Sequence, residues 1–336
     1  MAEQSDFSGA FFSKILGMPV LIVGDAMVDS YIEGQVDRVS PEAPVPVVFV
    51  NSKKDRLGGA ANVALNIKAM GAEPILCTVT GTDAAAQRLI TCLEKENLYS
   101  EGVLRSASRT TTVKTRVMTR NQQMLRIDEE NTSPLSEADL KSFVSSIKEI
   151  ISVRKPAALI FQDYNKGMLT PALIQEISGL CASESIPVCV DPKHQHFFEY
   201  KGSFLFKPNL REVIDSIPEC PEDANPEHLN SAAEAIHERL GNQVTMITLG
   251  ERGVFLHTPN ESRIFPAHIR NIADVSGAGD TVISLAALGI AAGLDPSIWA
   301  QIANLAGGLV CESVGVVPVD RTQLMEEVQS LFHPES

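Results

Sequence analysis

The sequence predicts an α/β fold: a doubly wound, mostly parallel sheet flanked by helices, with a small protruding β-sheet lid. Three observations carry this. Short apolar runs (Val20 to Val23, Ile75 to Val79, Ala158 to Phe161, Pro187 to Val190, Phe204 to Phe206 and Thr245 to Leu249) alternate with helical segments, as in a parallel sheet. Polar residues or glycines follow the runs directly, so Gly24, Asp25, Asp163, Asp191, Asn209 and Gly250 would share the ligand-binding edge of that sheet. Two stretches, near 31–51 and 110–128, depart from the pattern and are able to pair as the lid.

Taken in order, the first run reads as a buried strand ending at Gly24-Asp25, with Asp29 shortly after. Beyond Tyr31, Pro41, Pro44 and Pro46 interrupt strand-like pieces, which suits a protruding sheet and not a central strand. Gly58 and Gly59 then lead into a helix of small residues, where a ligand can approach the backbone closely or the helix can pack tightly on the sheet; both readings fit. Asn62 and Asn66, four apart, share a face of that helix. In the second irregular stretch a two-residue period puts Lys114, Arg116 and Arg120 on one strand face, with Arg126 beyond a polar turn. From residue 135 the alternation is regular, beginning with a helix over about 137–151. Asn209 and Glu212 are spaced to reach a magnesium shell and equally to form a capping box. His194 and His196 lack an evident third ligand and read as structural or surface residues.

Composition narrows the function. The 336 residues carry a net charge of −14, which disfavours nucleic acid and anionic membrane as partners. An acidic protein that handles anionic ligands must gather its few cations locally, which gives the 114–120 face its interest. The six cysteines (77, 92, 181, 189, 220 and 311) include no Cys-x-x-Cys, and their scatter fits a reducing compartment. The N-terminus has no basic, apolar leader, and Val282 to Leu294 is shorter than a membrane span. The chain therefore reads as soluble and cytoplasmic.

The most chemically suggestive segment is Ala273 to Thr281 followed by the apolar run to Leu294. Gly277, Ala278 and Gly279 would sit at a helix N-terminus, whose unpaired amides and macrodipole favour an anion. The same field is expected to keep Asp280 ionised. A phosphoryl cradle beside a proton acceptor is the minimum for phosphoryl transfer to an alcohol; an acidic helix cap fits the local sequence as well. A dinucleotide oxidoreductase is disfavoured, because Val23-Gly24-Asp25-Ala26-Met27 lacks Gly-x-Gly-x-x-Gly.

These motifs resemble the ribokinase-like (PfkB) family of carbohydrate kinases. Asp274-Val275-Ser276-Gly277-Ala278-Gly279-Asp280 matches the family's C-terminal signature, with slightly different internal order, Gly58 to Asn62 its N-terminal signature, and Asn209 with Glu212 its Asn-x-x-Glu motif. Within the family the likeness is to the branch serving ADP-heptose synthesis, carried by Gly24 to Asp29, Arg38 to Pro46, Arg120 to Gln123, Asp163 to Gly167 and Asp191 to Lys193.

The resemblance, covering about 19–319, implies one kinase domain over 1–336, with lid segments about 27–51 and 110–128. It implies ATP-dependent phosphorylation of D-glycero-D-manno-heptose 7-phosphate at the anomeric hydroxyl, with Mg2+, and leaves a monovalent cation such as K+ open. It also implies a homodimer clasped through the lids. No His-x-Gly-His nucleotidyltransferase motif is present, so adenylyl transfer is expected to need another protein. The implied roles are Asp280 as base; amides of Gly277, Ala278 and Gly279 on the transferring group; and Asn209 and Glu212 at magnesium. Lys193, Leu210, Arg211, Gly250, Gly253 and Asn304 would meet the nucleotide. Gly58, Gly59, Asp25, Asp29, Asn62, Asp163 and Lys166 would meet the sugar, and Arg38, Lys114, Arg116 and Arg120 the 7-phosphate. Another sugar kinase of the family, or a non-catalytic sugar-binding relative, is the alternative.

Overall fold

The computed structural model describes residues 7–119, 122–217 and 225–332. After α1 (Phe7–Lys14), the apolar run around Val20 to Val23 forms β1 (Pro19–Gly24), which is buried because helices cover both sheet faces. The chain then leaves the main sheet as a long hairpin, β2 (Ala26–Val39) and β3 (Pro46–Gly59), and β3 runs directly into α2 (Ala60–Ala69). β4 (Glu73–Thr80), α3 (Ala84–Lys95) and β5 (Gly102–Arg105) return to the main sheet. β6 (Val113–Thr119) and β7 (Gln122–Glu129) go back to the lid.

The regular half follows as α4 (Glu137–Arg154), β8 (Ala158–Gln162), α5 (Pro171–Ser183), β9 (Val188–Asp191), β10 (Leu205–Phe206) and α6 (Leu210–Ser216). After it come α7 (Pro226–Leu240), β11 (Val244–Thr248), β12 (Val254–His257) and β13 (Ser262–Phe265). The last helices are α8 (Ala278–Ala291), α9 (Pro296–Val310) and α10 (Arg321–Phe332). Cap chemistry sets several starts: Ser136 accepts from the Asp139 amide, and Thr170 from that of Leu173 ahead of Pro171.

The main sheet has the order β13-β12-β11-β10-β9-β8-β1-β4-β5. Only the β11–β12 and β12–β13 pairs are antiparallel. β1 lies between β4 and β8, so successive crossovers run in opposite directions from it and open a crevice at the carboxyl ends of the strands. The predicted lid is a second sheet of order β3-β2-β6-β7, in which β2 and β6 run parallel. It extends further than its sequence bounds, to Gly59. Residues 51–56 of β3 are exposed or half-buried, with none buried, so they lack the alternation that marks a strand with one buried face.

Two apolar layers hold the main sheet, one containing α2, α8 and α9, the other α4, α5 and α7. The five described cysteines are buried and unpaired, and Cys220 lies outside the described residues. Among those residues no helix is long and apolar enough to cross a membrane. α8 and α9 pack closely at Gly289, where an added Cβ would fall 2.3 Å from Trp299 Cβ. Gly289→Ala is therefore expected to lower the unfolding free energy by about 1–3 kcal/mol. Urea denaturation reads this, and an unchanged midpoint would mean that the two helices have room to part.

Candidate active site

α8 begins in the crevice, so its N-terminus and Asp280 face the switch point. Gly277, the N-cap, is left-handed at φ 85°, and a Cβ there would come within 2.9 Å of the Asn62 side-chain amide. The expected cradle differs in one member. The Ala278 amide donates to Val275 O at 3.3 Å, whereas among the described residues the amides of Gly277, Gly279 and Asp280 have no main-chain acceptor. The unpaired donors are thus those of 277, 279 and 280, because the 275–278 turn uses the second.

Asp280 is 4% exposed and held by three donors from two parts of the chain. Asn62 of α2 donates to Oδ2 at 2.7 Å. Tyr164 and Gln162, at the end of β8, donate to Oδ1 at 2.8 and 3.1 Å. Asn66, one turn along α2, accepts from the Thr281 hydroxyl and the Val319 amide, which ties α2 to α8. The expectation that the helix field keeps Asp280 ionised is corrected. Burial pushes its carboxyl up to about 7, against the Asn62 and Tyr164 hydrogen bonds; Asp191 adds to the rise and Lys207 opposes it. The sequence shows the dipole and not the burial.

Gln162, Tyr164 and Lys207 were not among the predicted site residues. Lys207 is only 2% exposed and pairs with Asp191 at 3.1 Å. A Cβ on Gly279 would lie 3.8 Å from both the Lys207 ammonium and the Asp191 carboxylate, so this pair faces the phosphoryl cradle. The available signal was position: a charged residue immediately after a buried strand.

On the nucleotide side, a cavity of 860 Å3 is lined by residues including Gly250, Gly253, Ala278, Gly279 and Asn304. Its size suits a nucleotide. Gly253 is required chiefly by its own chain, since a Cβ there would strike Phe265 O at 2.1 Å. Asn304 donates to Pro266 O at 2.9 Å. Leu210 packs into the apolar layer, and Arg211 turns outward to Asp215; neither lines this cavity, because helical periodicity directs both away from it. Asn209 and Glu212 form the capping box, each accepting from the other's amide at 2.8 Å. Lys193 binds Glu212 and lies over the Tyr164 ring at 5.5 Å. Burial and then the Asp191 charge push Glu212 up, with Lys193 opposing. Asn209 Oδ1 and Glu212 Oε2 are both committed to the cap, while Lys193 and Lys207 hold Glu212 and Asp191, so a divalent cation here would have to take the place of these lysine contacts. His194 and His196 lie in a short turn, and no three-residue His, Cys, Asp or Glu cluster occurs among the described residues.

On the acceptor side, Asp25 accepts from the Tyr164 and Lys166 amides at 2.9 and 3.1 Å. Asp163 is 1% exposed, with its oxygens taken by Tyr200 at 2.8 Å and the Asn165 amide at 2.7 Å, bonds that fix the loop. Gly58 and Gly59 serve the crossing of the lid strands, since Cβ atoms there would meet Asp29 and the Asp25 carbonyl. The predicted cations are largely paired within the chain: Arg116 with Asp29, Lys114 with Asp128 and Glu130, Lys166 with Glu130. Arg38 stacks on Phe49 beyond the β2–β6 pairing, roughly 20 Å along the strand from the Arg116 register position. It does not join them. Arg120 lies outside the described residues.

Comparison with solved structures sets the fold class. Escherichia coli phosphofructokinase-2 in complex with potassium superposes with a TM-score of 0.77 at 18% identity, covering 94% of this chain and 99% of that one. Arabidopsis thaliana ribokinase complexed with ribose and ATP gives 0.72 at 17% identity, covering 93% and 99%. This is the ribokinase-like α/β fold. The model of the pfkB family of carbohydrate kinases matches residues 20–322, and the chain belongs to that family. It is 38% identical over 311 residues to the Bifunctional protein HldE of Methylobacillus flagellatus, covering 93% of this chain and 63% of that protein. The Pseudomonas aeruginosa PAO1 protein of the same name is 40% identical over 312 residues, with 93% and 64% covered. The chain thus spans a little under two thirds of these relatives' length.

A buried carboxyl near 7, serving as the expected base, would have two pH consequences. kcat/KM for the acceptor should fall about tenfold per unit as pH drops below about 7 and level off above it, as a steady-state profile would show. The retained proton also favours the folded state fully below about 3.8, and this contribution is lost as pH rises through about 7. Asp280→Asn should therefore gain melting temperature relative to the parent as pH is raised from 5 to 8, while losing roughly two to four decades in kcat. A constant melting difference would refute the buried-acid assignment.

Proposed function

We propose that this carbohydrate kinase transfers the γ-phosphoryl group of ATP to the anomeric hydroxyl of D-glycero-D-manno-heptose 7-phosphate. The 1,7-bisphosphate product would lead toward ADP-heptose and the lipopolysaccharide core. The observation that carries the transfer is the clamped Asp280 beside the unpaired amides of α8. Three donors occupy three of its four lone-pair sites, leaving one, on Oδ2, to receive the hydroxyl proton. The sugar oxygen forms its bond to the γ-phosphorus as the bond to the β,γ-bridging oxygen breaks, and ADP leaves. The amides of Gly277, Gly279 and Asp280, with Lys207, face the charge on the transferring group. Asp191 and Glu212 would hold magnesium, which supplies charge neutralisation on the nucleotide phosphates when bound.

The heptose reading is supported by the two named relatives and by the Arg38 to Pro46 and Arg120 to Gln123 strings. We place the reaction in the cytoplasm, where ATP is available, with the later adenylyl transfer left to a separate catalytic unit. An uncharged sugar is the second reading, favoured by the pairing of Lys114, Arg116 and Lys166 with carboxylates. Coupled assays of ADP release across phosphorylated and plain heptoses, hexoses and pentoses separate the two. Heptose 7-phosphate should give the highest kcat/KM, and preference for a plain sugar would overturn the assignment.

The lid supports a homodimer. Val39, Val45, Phe49, Val50 and Leu125 are half or more exposed, an apolar surface that suits a second copy of the lid. Phe49→Glu with Leu125→Glu should halve the mass seen in sedimentation and leave the melting temperature of the main domain nearly unchanged. An unchanged dimer would place the interface elsewhere.

A further inference from the structure

We propose that Arg56, with Lys54 and Tyr31, forms the subsite for a phosphate at the acceptor's far end, in a cavity between the lid and the turn at 313–316. This rests on the sugar-phosphate reading above and assigns its anion to a residue other than the predicted cations.

The cavity measures about 200 Å3, and residues including Tyr31, Glu33, Lys54, Arg56, Met118 and Val314 line it. Arg56 is half-buried and forms no ion pair among the described residues. Its Nη1 donates to the carbonyls of Val316 at 3.0 Å and Val314 at 3.3 Å, which fixes the guanidinium. Its face lies over the Tyr31 ring at 5.2 Å, and Arg116 lies over the same ring at 5.5 Å. The Nε and Nη2 protons have no acceptor among the described residues, and they form the fork that matches two phosphate oxygens. In a chain of net charge −14, the neighbouring cations Arg116, Lys114 and Lys166 already hold carboxylates. A fixed guanidinium without one is prepared for an anion that the protein does not itself supply.

The backbone is shaped to admit this side chain. Gly315 is left-handed at φ 76°, and a Cβ there would fall 2.7 Å from Arg56 Nη1 and 3.2 Å from the Tyr31 hydroxyl. The position also suits the far end of a bound acceptor. Val316, whose carbonyl anchors Arg56, has side-chain carbons 3.4 Å from where a Cβ on Gly277 would sit. Arg56 pairs in register with Asp29 across the lid strands. A sugar with its anomeric carbon at Asp280 and a hydroxyl at Asp29 would thus extend toward Arg56. Lys54 now faces Glu33 at 3.7 Å, a weak exposed pair from which a phosphate would draw it.

The test compares the parent with Arg56→Ala and Arg56→Lys on heptose 7-phosphate and on the same heptose without phosphate. The ratio of kcat/KM for the phosphorylated to the plain acceptor should fall about 10–100-fold in Arg56→Ala, as expected for losing a charged fork. Arg56→Lys should recover little of it, because an ammonium lacks the planar, fixed two-donor fork. If Arg56 only props the 313–316 turn, both acceptors lose together and the ratio stays constant, which overturns the subsite. Calorimetry with inorganic phosphate on the folded proteins separates this from the substrate assignment. Binding to the parent and not to Arg56→Ala keeps the anion subsite even if heptose 7-phosphate proves inactive, and equal binding to both overturns it.

Discussion

The structure depends on one carboxylate held out of water. Removing an ionisable group from solvent is costly unless hydrogen bonds replace its hydration. Asp280 has three such bonds, from Asn62, Gln162 and Tyr164, and these reach it from α2 and from the end of β8. Meeting that demand requires the small residues of α2 to let the helix come close, a glycine at 277 whose missing Cβ leaves room for Asn62, and the strand-order reversal that sets β1 beside β8. The same burial raises the carboxyl to about 7, which in the proposed role would suit it as a proton acceptor near physiological pH.

Charge follows a related logic. The acidic chain neutralises most of its lid cations internally, so a guanidinium that is rigid but uncommitted differs in kind from a merely basic strand face. Arg116 is held to Asp29, while Arg56 is anchored by main-chain carbonyls and the Tyr31 ring and by no carboxylate among the described residues. Glu212 shows the complementary case on the nucleotide side. Its cap and its lysine fix it in place, and Asp191 keeps it electrostatically strained.

Much of this was legible in the sequence, because strands that end in polar residues carry the site edge in their own spelling. Gly24, Asp191 and Gly250 fell where the topology puts them, and the glycines before Asp280 marked the start of α8. The ribokinase-like resemblance then selected sugar kinase from the possibilities. What escaped was whatever depends on a neighbouring segment. A two-residue period shows which face Lys114 occupies and cannot show that Asp128 stands opposite it. Gln162 and Lys207 read as ordinary strand-end residues until the registers of β8, β9 and β10 bring them together. Arg211 and Asp163 looked available for ligands because solvent exposure and occupied lone pairs leave no mark on spacing.

One further consequence lies in the uninterrupted run from β3 into α2. The ribbon that covers the sugar and the helix that carries Asn62 meet at the Gly59–Ala60 peptide, and Gly59 has a backbone angle open to few other residues. The amide that clamps Asp280 is thus carried on the same continuous segment as the ribbon. Displacing the Gly59–Ala60 peptide would therefore disturb the lid strand and the Asn62–Asp280 hydrogen bond together, so the two halves of the crevice share one covalent support.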